Sequence, residues 1–256
     1  MMKQTGVGVV LLLLGGMGTA GAALLPAVNG QVYDDVLEIS WLEDANFVKT
    51  SCDADNALWQ AFDPTTITDN SGRTKTQICE QFGRLNWNEA EGWIAVLNAN
   101  NHLGHSDWRQ WEVPNPTNDP TCSLQDSDVA GSDGGYRCTG SELGNLFNAT
   151  LGNPNQLENS CNPNCLVNVG PFSNFQSFWY WSGTVYAPSP FNAWGFVTAA
   201  GSQDRGDVIF NYMYVWPVRP GQDVGAPAPA SIPVLPWWGL MLMGLGLAAV
   251  ARRRLR

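Results

Sequence analysis

The segment Phe178-Trp179-Tyr180-Trp181-Ser182-Gly183-Thr184-Val185-Tyr186 reads as a β-strand: aromatic and β-branched residues dominate it and no helix former interrupts it. The turn Ala187-Pro188-Ser189-Pro190 follows, and Ala193 to Thr198 reads as the next strand. Gly201 to Gly206 reads as a polar turn into a last strand, Val208 to Val218, which runs out in Pro217-Val218-Arg219-Pro220-Gly221. Helical periodicity lies earlier. Ala90, Trp93, Ile94 and Leu97 fall at i, i+3, i+4 and i+7, so they share one apolar face, with Asn88 as the expected cap. A second helix is expected from Glu142 to Leu151, because Thr139 and Glu142 have capping-box spacing and Leu143, Leu146 and Phe147 share a face. Val32 to Trp41 is β-like. Helices early and antiparallel strands late make the fold class α+β.

About 200 residues between the two ends suffice for one domain with a real core. Residues 24–230 hold ten tryptophans, few charged residues and many Gly, Asn, Ser and Pro. That composition predicts a loop-rich domain whose irregular parts are held by large aromatic side chains. The same stretch carries 23 acidic and 8 basic side chains, a net charge of −15. Such a surface repels nucleic acid and anionic headgroups, so no nucleic-acid partner is expected.

Six cysteines lie in this stretch. An even count in an exported chain predicts three disulfides, and of the 15 ways to pair them we favour the local scheme Cys52–Cys79, Cys122–Cys138 and Cys161–Cys165. Each pair would close a loop rich in turn residues.

Both ends read as export signals. Lys3, the apolar run Val7 to Leu14 and the small residues through Gly21-Ala22-Ala23 have the layout of a secretory signal peptide, cut after Ala22 or Ala23. Ala226-Pro227-Ala228-Pro229-Ala230 is a semi-rigid spacer. Beyond it, Ser231 to Arg256 joins a Pro-bearing motif to 15 apolar or Gly residues (Trp237 to Ala251) and then Arg252, Arg253, Arg254 and Arg256. The run is shorter than the roughly 20 residues of a comfortable helical span. The arginines mark the cytoplasmic side. The tail is therefore either a single-span anchor or a sorting signal removed by a processing enzyme. The chain is read as 1–23 signal peptide, 24–221 folded domain, 222–231 linker and 232–256 sorting segment.

Two resemblances sharpen this. Ile232-Pro233-Val234-Leu235, then Trp238-Gly239, the apolar span and the Arg cluster resemble the bacterial IPTL-CTERM sorting signal, a relative of PEP-CTERM, with Val234 where that motif carries Thr. Tyr33-Asp34-Asp35-Val36-Leu37, Trp41 to Asn46, Asp107-Trp108-Arg109, Gly140-Ser141-Glu142-Leu143-Gly144, Tyr180-Trp181-Ser182-Gly183-Thr184, Ala193-Trp194-Gly195-Phe196 and Val218-Arg219-Pro220-Gly221 resemble, in that order, the exported bacterial Lcl C-terminal-type family. That likeness covers most of residues 31–221 and departs at Gln110-Trp111, where the family continues Leu-Pro-Thr. It implies a C-type-lectin-like fold, shared with formylglycine-generating enzymes. Together the two imply a domain exported to the periplasm, outer surface or matrix of a Gram-negative-type bacterium. Its partners would be signal peptidase, a sorting membrane enzyme, the membrane through the C-terminal segment, and a glycan or matrix ligand.

The chemistry-bearing motifs favour binding over catalysis. His102 and His105 form H-x-x-H, but no Glu lies between them, so the zinc-protease pattern fails. Asp126, Asp128 and Asp133 surround Gly131 in the Cys122–Cys138 interval; calcium accepts such carboxylates on a flexible loop, and a solvated acidic loop is the plainer reading. Asp53-Ala54-Asp55-Asn56 is a lesser candidate of the same kind. No other cofactor is expected. No nucleophile elbow or phosphate loop occurs, Ser182 has no histidine partner in the sequence pattern, and Asp34/Asp35 read as turn residues. We therefore read a non-enzyme. Trp179, Trp181, Trp194, Tyr212 and Tyr214, with the polar Asp204 and Arg205, are the candidate ligand-binding set, since aromatic faces beside hydrogen-bonding groups suit sugar or peptide recognition. Strand alternation places about half of such aromatics in the core. A secreted enzyme of the formylglycine-generating type and a structural envelope protein without a ligand are the alternatives.

Overall fold

The β-like run Val32 to Trp41 is a hairpin rather than one strand. β1 (Gln31–Asp34) and β2 (Ile39–Leu42) pair antiparallel, with Val32 opposite Trp41. The Asp34 carboxylate accepts the backbone N–H of Val36 at 3.0 Å and of Leu37 at 3.1 Å, and Glu38 turns through a left-handed φ of 55°. A buried aspartate at the strand end thus folds the chain back, which strand propensity alone does not signal. The computed structural model describes residues 24–69, 72–122, 134–159, 161 and 164–223. The proposed signal peptide and sorting segment, including Ile232, Pro233, Trp238, Gly239 and Arg252 to Arg254, lie outside them, as does the linker beyond Asp223.

Four helices follow the hairpin: α1 (Phe47–Asp53), α2 (Ala57–Ala61), α3 (Lys75–Glu80) and α4 (Trp87–Ala99). The buried face of α4 is the expected one, Ala90, Trp93, Ile94 and Leu97. Its cap is Asn86, not Asn88. The Asn86 side chain accepts from Glu89 N at 2.8 Å, and the Glu89 carboxylate accepts from Asn86 N at 2.8 Å, closing a capping box. The later helix also starts elsewhere than Thr139. Ser141 caps α5 (Glu142–Gly144), which continues as a π-helical turn, Asn145–Thr150, and buries Leu143, Leu146 and Phe147 as expected. Glu142 is not in a box. It holds Arg109 through two hydrogen bonds of 2.8 and 2.6 Å. A short α6 (Gln156–Asn159) completes the helices.

The late strands follow the expected order with one correction. β5 (Trp179–Val185) and β6 (Asn192–Val197) stand where the sequence places them. Gly201 to Gly206 is not a turn: β7 (Ser202–Asp207) pairs with β6 along its whole length. Val208 to Val218 is correspondingly not one strand. The Asp207 carboxylate accepts from Ile209 N and Phe210 N, each at 2.9 Å, and breaks the run. β8 (Tyr214–Val215) and β9 (Pro217–Pro220) follow. β7 buries only Gln203 and Gly206, so it lacks the apolar alternation that marks a strand.

With β3 (Arg109–Gln110) and β4 (Gly135–Tyr136), the strands make two sheets. The order is β1-β2-β9-β3 in one and β4-β7-β6-β5-β8 in the other, antiparallel throughout except for β5 with β8. The last strand therefore lies against the first hairpin. Trp216, between β8 and β9, is fully buried, with its ring centroid 4.9 Å from Trp41, 4.8 Å from Phe172 and 4.6 Å from Phe175. Four indoles donate to backbone carbonyls of distant segments, Trp216 to Leu42, Trp181 to Leu85, Trp87 to Ser182 and Trp194 to Pro116, and Trp108 donates locally to His102. The first four bonds each fix an indole to the backbone of another segment, so the tryptophans help hold the irregular parts as their number suggests.

All six cysteines are paired as the local scheme has it: Cys52–Cys79, Cys122–Cys138 and Cys161–Cys165. Among the described residues no helix is long and apolar enough to cross a membrane. The sequence separations of 27, 16 and 4 rank the three loops. Removing the pairs singly by Cys→Ser double substitution is expected to cost about 3.6, 3 and 2 kcal/mol in that order on loop-closure entropy. Chemical denaturation of the three variants checks this, and a reversed order would show that the loops are held mainly by other contacts.

Candidate functional site

In antiparallel strands, paired residues share a face. Trp181 pairs with Gly195, Gly195 with Asp204, and Ala193 with Gly206. Trp179, Trp181, Gly195, Asp204 and Gly206 therefore stand on one side of the second sheet. Two glycines there leave room. A side chain on Gly195 would meet Met213 Sδ at 3.3 Å and the Trp179 ring at 3.4 Å; one on Gly206 would strike Met213 Cε and come within 2.9 Å of Trp181. Met213 fills that space, and its backbone exchanges hydrogen bonds with Leu85. Above it opens a groove of about 380 Å³ lined by Phe178, Trp179, Asp204, Arg205, Gly206, Asn211, Tyr212 and Met213.

The wall of this groove rests on buried charge. Glu89 is fully buried, and its Oε2 accepts from Arg73 Nη1 at 2.9 Å. Arg73 also donates to Arg84 O at 3.0 Å, and its guanidinium lies 4.1 Å from the centre of the Tyr212 ring. Asn86 Nδ2 reaches Asp69 O at 2.9 Å, and Trp87 N reaches Val208 O at 3.0 Å. The start of α4 thereby grips Asp69, Arg73 and the 208–213 turn. Burial pushes the Glu89 carboxyl up and the Arg73 guanidinium down from their ordinary values; the Asn86 N–H and the facing charge oppose the rise at Glu89, and the Glu89 charge opposes the fall at Arg73. On the neighbouring edge, the Arg84 guanidinium lies 4.9 Å from the Phe178 ring.

Four of the seven sequence-chosen binding residues meet here: Trp179, Asp204, Arg205 and Tyr212. Arg205 borders the groove, but its guanidinium lies over Tyr186 at 4.6 Å, on the side of the sheet that carries Trp194. Trp181, Trp194 and Tyr214 do not belong to a recognition surface. Trp181 and Trp194 are fully buried and Tyr214 is nearly so, because their indoles and rings pack the core and complete the carbonyl bonds described above. Sequence reading missed Phe178, Asn211 and Met213, and the supporting Arg73 and Glu89. The box Asn86-Trp87-Asn88-Glu89 was the available signal for the support; Asn88 drew attention instead.

The other candidates are dispersed. His102 stacks on Phe47 at 4.8 Å, whereas His105 faces Asp223 at 3.4 Å, so the H-x-x-H histidines do not converge. Asp126, Asp128 and Asp133 lie outside the described residues, as does most of their loop. At the base of that loop the Asp119 carboxylate is taken up by Thr121 and by Gln203 Nε2 at 3.1 Å. Two acid–cysteine clusters, Cys52/Asp53/Cys79 and Asp119/Cys122/Cys138, have their sulfurs committed to disulfides. Ser182 is buried, and its hydroxyl accepts from Thr184 N at 3.1 Å. Asp34 is the hairpin turn residue already described. The chain matches no family model, no curated protein and no solved structure.

Two outcomes follow from this geometry. Gly206→Val should destabilise the domain by about 1–3 kcal/mol through overpacking against Trp181 and Met213, measured by urea unfolding; an unchanged midpoint would mean that the sheet yields there. His102 is held neutral by burial, which lowers its pKa from 6.5 to about 4. The unfolded chain takes up that proton as pH falls through 6.5, the folded one only near 4, so stability present above 6.5 is lost progressively between these values. Melting temperature followed over this range should fall less steeply in His102→Phe than in the parent, and equal slopes would contradict the assignment.

Proposed function

We propose that this chain is an exported, surface-sorted binding or adhesion protein without catalytic activity, and that its ligand is an extracellular polysaccharide or another matrix component. The observation that carries this is the groove: half-buried Trp179 and Tyr212 stand beside Asp204, Asn211 and Phe178 over a floor of Gly206 and Met213. Aromatic rings beside a few hydrogen-bonding groups are the composition of a small-ligand site. The secretory and sorting patterns at the two ends support an exported setting, with handover to signal peptidase and a sorting enzyme.

The Lcl C-terminal-type reading, with its C-type-lectin-like fold, draws support from how its motif segments hold one another. Arg109 of Asp107-Trp108-Arg109 pairs with Glu142 of the Gly140 to Gly144 motif at 2.6 Å. Asp107 pairs with Arg219 of the Val218 to Gly221 motif at 3.1 Å, and Arg219 also reaches Gln31. Segments far apart in sequence are thus joined by the residues that carry the resemblance, and the Arg219–Gln31 contact ties the last strand to the first hairpin. The formylglycine-generating alternative needs a reactive thiol; all six cysteines are in disulfides. A titration that finds free thiol in the native protein would revive it.

A glycan array probed with the purified protein, with and without calcium, tests the proposal. Binding should fall at least about tenfold, or about 1.4 kcal/mol, in Trp179→Ala and in Tyr212→Ala, with the melting temperature of each variant showing that it is folded. Binding unaffected by either change would place the site elsewhere, and an array negative under both conditions would favour a structural envelope role.

A further inference from the structure

A second cavity, of about 560 Å³, is lined by Asn46, Lys49, Thr50, Asp53, Ala54, Phe82, Asn174 and Gln176. Its surroundings have no packing explanation. α3 ends in a Schellman motif: Gly83 N donates to Ile78 O at 3.0 Å and Phe82 N to Cys79 O at 3.2 Å. The left-handed position of that motif usually takes glycine. Here Phe82 takes it, at φ 64°, with 60% of its surface exposed. Asn174, on the opposite lip, is also left-handed, at φ 52°. A bulky ring held in a costly backbone conformation and left in water is an outlier that points to use rather than to packing. Asn46, buried in the wall, donates through Nδ2 to Phe82 O at 3.3 Å, while its Oδ1 has no partner among the described residues.

This cavity adjoins the first groove. The Arg84 guanidinium lies 5.9 Å from the Phe82 ring and 4.9 Å from the Phe178 ring, so the rings are no further apart than the sum of those distances. Phe82 lines the second cavity and Phe178 the first. Gln176 and Phe178, two residues apart in the chain, make the same link from the other side.

We infer that the two grooves are subsites of one continuous surface for a linear, uncharged, hydroxyl-rich polysaccharide, with Phe82, Asn174 and Gln176 forming the second subsite; this rests on the binding role proposed for the first. Amides, a hydroxyl and one open ring suit hydroxyl groups. A peptide would instead need an open sheet edge or an apolar groove. A polyanion is disfavoured because the domain carries −15, and of the nearby cations Lys49 and Arg73 are paired with Asp53 and Glu89 while Arg84 lies against the Phe82 and Phe178 rings. A chain long enough to fill both subsites gains from their linkage, by about a hundredfold or more over a fragment filling one.

Affinity electrophoresis of the full chain in gels cast with a neutral β-glucan, a mannan, a xylan, alginate or gelatin tests this. The parent should be retarded by a neutral polymer. Phe82→Ala, and independently Asn174→Gly, which tolerates the left-handed backbone, should each weaken that retardation about tenfold with unchanged melting temperature. Short fragments of the retarding polymer should compete at least tenfold less well than long ones. Retardation lost in Trp179→Ala but kept in both Phe82→Ala and Asn174→Gly would overturn the second subsite and leave the first groove's role standing. Retardation by alginate or gelatin alone would overturn the uncharged-chain assignment. Retardation absent with every polymer, or insensitive to all three substitutions, would overturn both readings.

Discussion

The Arg73–Glu89 pair, buried at the start of α4, is the constraint on which the rest of the groove depends. Two charges taken from water cost several kcal/mol each, and their attraction repays this only with good geometry and further hydrogen bonds. Those bonds are what organise the structure. Glu89 caps its own helix through Asn86 N, Arg73 ties down Arg84 O, and Asn86 holds Asp69 O and Ile209 O. The same guanidinium then lies under the Tyr212 ring. One buried ion pair thereby converts a helix start into the support of an aromatic wall.

Around that node the fold is held by aromatic rings rather than by long ladders. β3, β4 and β8 are two residues each, while Trp216, Trp181 and Trp194 each join core packing to a carbonyl bond on a distant segment. The chain ends of the domain are closed by polar joints: Arg219 with Asp107 and Gln31, and Ser40 Oγ with Gly221 O at 2.8 Å. Rigid sheets with open loops beside them are a suitable platform for recognition, since side chains on the strands are placed before a ligand arrives.

Much of this was legible in the residues. The α4 face, β5, β6 and the three local disulfides follow from periodicity, β-branching and loop spacing. What failed had common causes. Asp34 and Asp207 broke two expected strands by accepting backbone N–H groups, a local competition invisible to propensity. Ser202–Asp207 read as a turn because its buried positions are Gln203 and Gly206, which carry no apolar signal although the strand is fully paired. For the candidate site, the segment from Trp179 to Tyr214 stands out by its excess of aromatics, but the sequence does not say which rings point inward. The register decides that: Trp181 and Trp194 are core, while Trp179 and Tyr212 line the groove. Arg73 and Glu89, 16 residues apart and unremarkable in the sequence, become partners only in three dimensions.

The most direct test of this account is a double-mutant cycle on that pair, using Arg73→Met, Glu89→Leu and the double variant, with unfolding free energy and polysaccharide retention measured on each. If the buried charges compensate one another beneath the groove, each single variant should lose about 3–5 kcal/mol, the double variant should lose less than either, and retention should still drop because Tyr212 has lost the cation beneath it. Single losses that simply add in the double variant, or full retention in a folded double variant, would contradict the account.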